Sequence, residues 1–207
     1  MVGNLYDIWG TSDKNMWAVG DEGVALLYNG TAWNVVQPPG ALTYPLRGLW
    51  GATDKDIWAV GDWGTLRRWT GNPPWNDMAL GSRKLLNTLY GTSESNLWAG
   101  GENGWLMRWD GSKWMPYDSK LTRTINGIFG TSDKDLWAVS DAGGISHWDG
   151  ATWTAMPSGV SYNLFPGYAA APDKAWIPAT SGYVLSWDGT RWTPTSVLSS
   201  SYWFLSM

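Results

Sequence analysis

The sequence has no cysteine, one histidine and few charged residues, and each shortage excludes a class of protein. Without cysteine there is no disulfide framework, no thiolate metal site and no thiol nucleophile. Charged residues make up 15% of the chain, against roughly 25% in a typical globular protein. No apolar run approaches the roughly 18 residues that a membrane-spanning helix needs, so we expect no membrane insertion.

An excess of basic residues is also missing. The 207 residues include 14 Lys and Arg against 18 Asp and Glu, which gives a formal net charge of −4. A general nucleic-acid binder needs a basic face for the phosphate backbone, so we expect no nucleic-acid partner. The N-terminal stretch MVGNLYDIWG has no basic residues followed by an apolar core, so we expect no intact signal peptide in it.

What the chain has in abundance is glycine (26), tryptophan (19) and an internal repeat. The segment LYDIWGTSDKNMWAVGDEG at Leu5 returns, with changes, at Leu46, Leu86, Ile125 and Leu164. These starts are 41, 40, 39 and 39 residues apart, and a sustained period near 40 is typical of solenoids, arrays and propellers.

Each repeat is predicted to form four short antiparallel strands. An Asn-Gly or Asp-Gly pair precedes the fourth strand in four repeats, and Thr70-Gly71 takes that place in the second. Such pairs favour tight hairpins because both residues tolerate positive φ. Four strands in about 40 residues make one propeller blade. We therefore predict an all-β fold, a five-bladed β-propeller forming a single domain over residues 1–207, with blades at 5–45, 46–85, 86–124, 125–163 and 164–202.

The last five residues of the sequence, 203–207, fall where a sixth copy of the first strand would begin. They are predicted either to close the ring by supplementing the first strand of blade 1, or to be the start of a further repeat in a longer propeller. Closure of five self-contained blades favours a monomer.

Aromatic residues recur at four positions in every blade. These positions hold 16 of the 19 tryptophans, and large rings fill the wedge between stacked sheets. We therefore predict that most of the tryptophan serves the fold. The four sets are Trp9, Trp50, Tyr90, Phe129 and Tyr168; Trp17, Trp58, Trp98, Trp137 and Trp176; Tyr28, Trp69, Trp109, Trp148 and Trp187; Trp33, Trp75, Trp114, Trp153 and Trp192.

The phrases TSDKDLWAV and HWDGATW resemble the Trp-rich repeats of myxobacterial and related bacterial surface proteins. The strand layout is similar to that of WD-repeat propellers, and the hairpin from Ser186 to Trp192 resembles the Asp-box (BNR) turn of sialidase-like propellers. The resemblance implies a propeller and an extracellular or cell-surface location.

Candidate binding residues lie on the rim that holds the turns between the second and third strands together with the inter-blade loops. Loops on a rigid scaffold are common places for binding sites. The turns carry a repeated acid, the inter-blade loops add residues such as Tyr44 and Arg83, and three further aromatic residues lie outside the four repeated sets. The rim candidates are Asp21, Asp62, Trp63, Glu102, Trp105, Asp141 and Tyr183.

Two third-strand arginines, Arg68 and Arg108, complete the predicted ligand-binding set, and His147 holds the equivalent place in blade 4. They form either an anion or glycan patch, or long stems that lie over apolar blade edges. The repeated Asp-Lys turns on the opposite rim do not bring several carboxylates to one point, so we expect no metal site and no cofactor.

An enzyme is not expected. Glycosidases need two carboxylates, and the first strands offer Tyr6, Asp7, Arg47, Asn87 and Asn126, with one acid. With one His and no Gly-x-Ser-x-Gly elbow, a nucleophilic triad lacks its parts.

A non-catalytic binding module remains. Repeated acids beside exposed rings favour a multivalent, lectin-like propeller that binds a glycan. The alternative is a scaffold for a partner protein or a structural propeller without a small ligand, which Trp63 and Trp105 favour because each occurs in one blade.

Overall fold

The computed structural model describes residues 3–36, 44–72 and 75–197, and these form five separate four-stranded antiparallel sheets. The four strands of every sheet lie side by side in chain order. The first sheet has β1 Leu5–Ser12, β2 Asn15–Gly20, β3 Ala25–Tyr28 and β4 Trp33–Val35, and the second has β5 Leu46–Thr53, β6 Asp56–Gly61, β7 Leu66–Trp69 and β8 Asn76–Asp77. The third has β9 Leu86–Ser93, β10 Asn96–Gly101, β11 Trp105–Trp109 and β12 Trp114–Asp118, and the fourth has β13 Ile125–Ser132, β14 Asp135–Ser140, β15 Ile145–Trp148 and β16 Trp153–Met156. The fifth sheet has β17 Tyr168–Ala171, β18 Lys174–Ala179, β19 Tyr183–Trp187 and β20 Trp192–Ser196.

The chain divides into two compact units. One holds residues up to Ala99 together with Arg108–Met115, and the other holds Gly100–Met107 together with the residues from Pro116 onward. The segment 203–207, for which a closing strand was predicted, lies outside the described residues. Within the described residues, the helical segments are five three-residue 3-10 turns, one between the second and third strands of each sheet. We call these segments the rim turns.

The hairpins form where the sequence predicts them. The Asp-Gly turn before the fourth strand is held by its own aspartate: Asp149 Oδ1 accepts hydrogen bonds from the backbone N–H groups of Ala151 and Thr152, both at 2.8 Å. Gly150 follows with φ 97°, which only glycine adopts easily. The same aspartate contact recurs at Asp110 and Asp188.

Blade 5 departs from the prediction at its first strand. The repeat starts at Leu164, but β17 begins at Tyr168, and Leu164 makes only an isolated bridge to Ala179. Pro166 lies between them, and proline lacks the N–H that a strand ladder needs. The first strand is therefore shortened to four residues.

Tryptophan packs the sheets of each unit against one another. Trp17 lies with its ring centroid 5.2 Å from those of both Trp69 and Trp75 of the next blade. In the second unit, Trp137 contacts Trp187 and Trp192 at 5.0 Å each. One face of a blade thus presents its second-strand Trp to an aromatic pair on the following blade. The prediction that these rings serve the fold is confirmed for the tryptophans of these contacts.

Candidate functional site

Each rim turn has the same unusual backbone. Its second residue is not glycine, yet it has φ between 55° and 64°, the left-handed region that costs a side-chain-bearing residue energy. In blades 1, 2, 4 and 5 the N–H of the first turn residue donates to the carbonyl of the residue before the first strand, or before Leu164 in blade 5. This bond holds the incoming inter-blade loop over the turn. The left-handed residues are Glu22, Trp63, Asn103, Ala142 and Ser181.

A glycine closes each rim turn for two reasons. Gly64 has φ 69°, and a Cβ placed on it would overlap the carbonyl oxygen of Ser82 in the next inter-blade loop. Gly104 and Gly143 meet the carbonyls of Leu121 and Val160 in the same way. The close approach holds the following loop against the turn. In blades 2 and 4 the incoming loop is also bonded to the turn, so two loops and one turn are held together there.

Replacing Gly64 with alanine is expected to lower the free energy of unfolding by about 2 kcal/mol or more, because strain at positive φ adds to the clash with Ser82. Gly81 is a matched control, since it has φ 67° and a methyl group placed on it would meet nothing within 4 Å. Gly81→Ala should cost only the backbone strain, about 1 kcal/mol. Equal losses in denaturant unfolding would contradict the role of the close approach.

The rim acids of the first unit are held by residues of their own blade. Asp21 Oδ1 accepts a 2.6 Å hydrogen bond from the Tyr6 hydroxyl, and Asn4 donates its backbone N–H to Oδ2 at 2.8 Å. The bond from Tyr6 is the main reason that the pKa of Asp21 lies below its ordinary value. Asp62 forms a bidentate ion pair with Arg47, whose Nη2 lies 3.2 Å from Oδ2. These acids are engaged by the first strand.

The second unit repeats this arrangement with a neutral partner. Asn126 Nδ2 donates to Asp141 Oδ1 at 2.8 Å and to the Leu164 carbonyl at 3.0 Å. Glu102 accepts a 3.3 Å hydrogen bond from Asn103, its neighbour in the rim turn. The repeated acid therefore has a local partner at every blade that carries it.

Two further predicted rim residues are half-buried. Trp105 begins β11, and Tyr183 begins β19. The Tyr183 ring stacks on Tyr162 of the preceding loop, with centroids 4.8 Å apart and planes 28° apart. Tyr183 is thus part of a local aromatic pair.

Arg68 and Arg108 lie apart from the rim turns, beside the second-strand tryptophans of their blades. Arg68 Nε donates to Asp56 Oδ1 at 2.6 Å, and its guanidinium lies 4.8 Å from the Trp58 ring centroid. Arg108 is bonded to Asn96 at 3.0 Å and lies 5.3 Å from Trp98. This placement supports the interpretation as stems over apolar blade edges.

His147 repeats the pattern in blade 4. Its Nε2 lies 2.7 Å from Asp135 Oδ1, and its ring centroid is 4.1 Å from that of Trp137. The third-strand side chain thus covers the buried tryptophan and is tied to the start of the second strand.

The most exposed aromatic group of the rim turns is in blade 2. Trp63 is 53% exposed despite its size. Tyr44, in the loop before the blade, stacks on it with centroids 5.7 Å apart and planes 28° apart. Arg83, in the loop after the blade, places its guanidinium 5.8 Å from the indole centroid. We call Tyr44, Trp63 and Arg83 the blade 2 cluster.

The charge of this cluster is available to a ligand. No carboxylate among the described residues forms an ion pair with Arg83, whereas Arg47 close to the same turn is neutralised by Asp62. The sequence predicts Trp63 as a rim residue but not its contacts with Tyr44 and Arg83. The position of Tyr44 does carry a signal in the sequence, because Tyr44 and Tyr162 both lie two residues before a repeat start.

A cavity of about 280 Å³ lies in the second unit beside Asp141. Lys120, Arg123, Ile145 and Met156 are among its lining residues. Across the described ranges there is no cluster of three or more His, Asp or Glu side chains placed to hold a metal ion. No helix in residues 3–36, 44–72 or 75–197 is long and apolar enough to span a bilayer.

Comparison with solved structures decides the fold. The chain is similar to YCF48 bound to D1 peptide (TM-score 0.73, 14% identity, covering 94% of this chain and 69% of that one). It is also similar to the RRP9 WD40 repeats (TM-score 0.75, 10% identity, covering 90% of this chain and 63% of that one). A third similar structure is the WD40 β-propeller domain of Doa1 (TM-score 0.74, 12% identity, covering 90% of this chain and 66% of that one). The fold is that of a β-propeller.

The propeller prediction is therefore confirmed, with five blades of four antiparallel strands. The chain spans about two thirds of the length of these three structures. No protein-family model and no curated protein matches the sequence.

Proposed function

We propose that this propeller is a non-catalytic binding module and that a segment of a partner protein docks on the blade 2 cluster. The observation that carries the proposal is the convergence of Tyr44, Trp63 and Arg83 at one exposed place. Trp, Tyr and Arg are the three residue types enriched among the hot spots of protein interfaces.

A protein partner fits the cluster better than a repeated glycan site. A lectin built on the repeat would use the rim acids, but Asp21, Asp62 and Asp141 are bonded to Tyr6, Arg47 and Asn126. The cluster occurs in one blade and Tyr44 covers part of the indole. Glycan binding stays a prediction, which a glycan array tests.

The charge of the cluster indicates the chemistry of the partner. Arg83 keeps its charge unpaired among the described residues beside a large apolar ring, so the matching segment carries an acidic side chain next to an aromatic or aliphatic one. The solved neighbour YCF48 holds a D1 peptide. That neighbour supports a peptide as the class of ligand for this fold.

The absence of catalysis is part of the proposal. The first strands of the propeller contribute one carboxylate, Asp7, which accepts backbone hydrogen bonds from Ile8 and Leu49. Acid–base hydrolysis of a glycoside needs two carboxylates that face a substrate.

The resemblance to Trp-rich bacterial surface repeats supports an extracellular or cell-surface location as part of the same proposal.

Selection from a random-peptide library on the immobilised protein tests the proposal, with a glycan array probed in parallel. We expect peptides that share an acidic residue beside an apolar one and whose affinity falls as salt is raised. A set of related glycans bound in the absence of any peptide consensus would instead favour the lectin. Peptides that bind equally to a variant without Trp63 would contradict the assignment of the site.

Trp63→Asn is expected to separate binding from folding. Asparagine occupies the equivalent position at Asn103 and tolerates the left-handed region, so the free energy of unfolding should rise by about 0.5–1 kcal/mol. Removing a hot-spot tryptophan should weaken a selected peptide at least about tenfold. Titration calorimetry and thermal unfolding measure the two effects. Ser181→Asn, at the same position of blade 5, is the control that should leave affinity unchanged.

A further inference from the structure

The first and fifth blades expose positions that are buried or partly buried in the blades between them. Trp17, Trp58, Trp98 and Trp137 are 0–1% exposed, whereas Trp176 at the same position of blade 5 is 37% exposed. The strand that precedes it exposes Tyr168 as well. The tryptophan face of blade 5 is therefore partly exposed.

Blade 1 exposes the opposite face. Trp33 is 45% exposed, whereas Trp75, Trp153 and Trp192 at the same position are 3–5% exposed. Ile8 is 55% exposed, while its counterparts in blades 2 to 4 are 3–7% exposed. These counterparts are Leu49, Leu89 and Ile128.

The receiving pair on blade 1 already has the geometry of the buried pairs. Tyr28 and Trp33 lie 5.4 Å apart with their planes at 41°. The pairs that receive a tryptophan, Trp69 with Trp75, Trp109 with Trp114 and Trp187 with Trp192, lie 5.5–6.0 Å apart at 40–50°. In each of these cases the incoming ring centroid is 4.9–5.5 Å from both rings.

We propose that these surfaces bind each other between two copies of this chain, with Trp176 of one copy packed on Tyr28 and Trp33 of the next. The occupant is a second copy because the chain carries both halves of a contact that it makes repeatedly within itself. The association is heterologous, since two different faces meet, and it joins copies head to tail. It departs from the sequence-based expectation of a monomer and is independent of the blade 2 cluster.

Single-face variants test the proposal by mass. Light scattering should give the wild-type chain masses that rise with concentration from 22.9 kDa to multiples of it. Trp33→Ser and Trp176→Ser should each stay monomeric, because each lacks one half of the contact. Mixed in equal amounts, they should form a dimer and nothing larger, since each retains the half that the other lacks.

Controls separate this contact from other causes of association. Trp63→Ser removes an exposed tryptophan from the rim and should associate like the wild type. Circular dichroism should show all three variants folded, since each substitution is at an exposed ring. A wild-type mass of 22.9 kDa at every concentration would overturn the proposal. So would Trp33→Ser or Trp176→Ser proteins that associate alone as the wild type does.

Discussion

Replacing Trp58 with alanine is expected to lower the free energy of unfolding by about 3–5 kcal/mol. Trp58 is fully buried, and its ring lies 4.9 Å from Trp109 and 5.5 Å from Trp114. Truncation removes both contacts and leaves a cavity between two sheets that cannot collapse, because each sheet is fixed by its own hydrogen-bond ladder. Urea unfolding monitored by circular dichroism measures the loss.

Two matched variants show what part of that loss comes from the ring. The Trp58 indole N–H is buried and has no hydrogen-bond partner in the described part of the chain, so Trp58→Phe should cost far less than alanine, about 1–1.5 kcal/mol. Trp176→Ala removes the same repeat position where the ring is partly exposed, so in dilute monomeric protein it should cost no more than about 2 kcal/mol. Equal losses at Trp58 and Trp176 would contradict the packing of successive blades through this position.

Raising the pH from 4 to 7 is expected to destabilise the protein through Asp7 by about 3 kcal/mol. Burial raises the pKa of Asp7 from 3.8 to about 6, against the opposing effect of hydrogen bonds from the N–H groups of Leu49 and Ile8 at 2.7 and 2.8 Å. The unfolded chain gives up this proton first, near pH 4. The free energy of unfolding therefore falls between pH 4 and 6 and levels off above that range.

The Asp7→Asn variant isolates this group from the other carboxylates. Asparagine keeps the size and one acceptor but does not titrate, so the stability difference between wild type and variant should change by about 3 kcal/mol across pH 4 to 6. The exposed aspartates of the Asp-Gly turns are present in both proteins, so their contribution to the pH dependence cancels in the stability difference. A difference that stays constant with pH would contradict a partly buried carboxylate with a raised pKa at this position.

The repeat predicted the blades because each strand and turn has a local cause. The Asp-Gly turns and the recurring Trp need nothing beyond their own repeat and its neighbour. The partners of the rim acids were missed although the signal was present: Tyr6 to Asp21, Arg47 to Asp62 and Asn126 to Asp141 are all 15 residues apart. Residues at this spacing come into contact because the register of the first two strands places them side by side.

Other features depend on neighbours that the repeat does not encode. Trp176 occupies the same repeat position as Trp58, yet it is 37% exposed where Trp58 is fully buried. The blade 2 cluster joins two loops to one turn. Tyr44 recurs as Tyr162 two residues before a repeat start, but no repeated residue relates Arg83 to Trp63. Pro166 indicates that β17 begins late, whereas the repeat pattern predicts a strand that begins at Leu164.

Oxidative footprinting of tryptophan, read by mass spectrometry with and without a saturating selected peptide, tests the division between structural and binding rings most directly. In the free protein, Trp63 should react readily while Trp17, Trp58, Trp98 and Trp137 stay unmodified. With the peptide bound, Trp63 should become protected and the four buried rings should not change. A Trp63 that reacts equally with and without the peptide would contradict the proposed binding site.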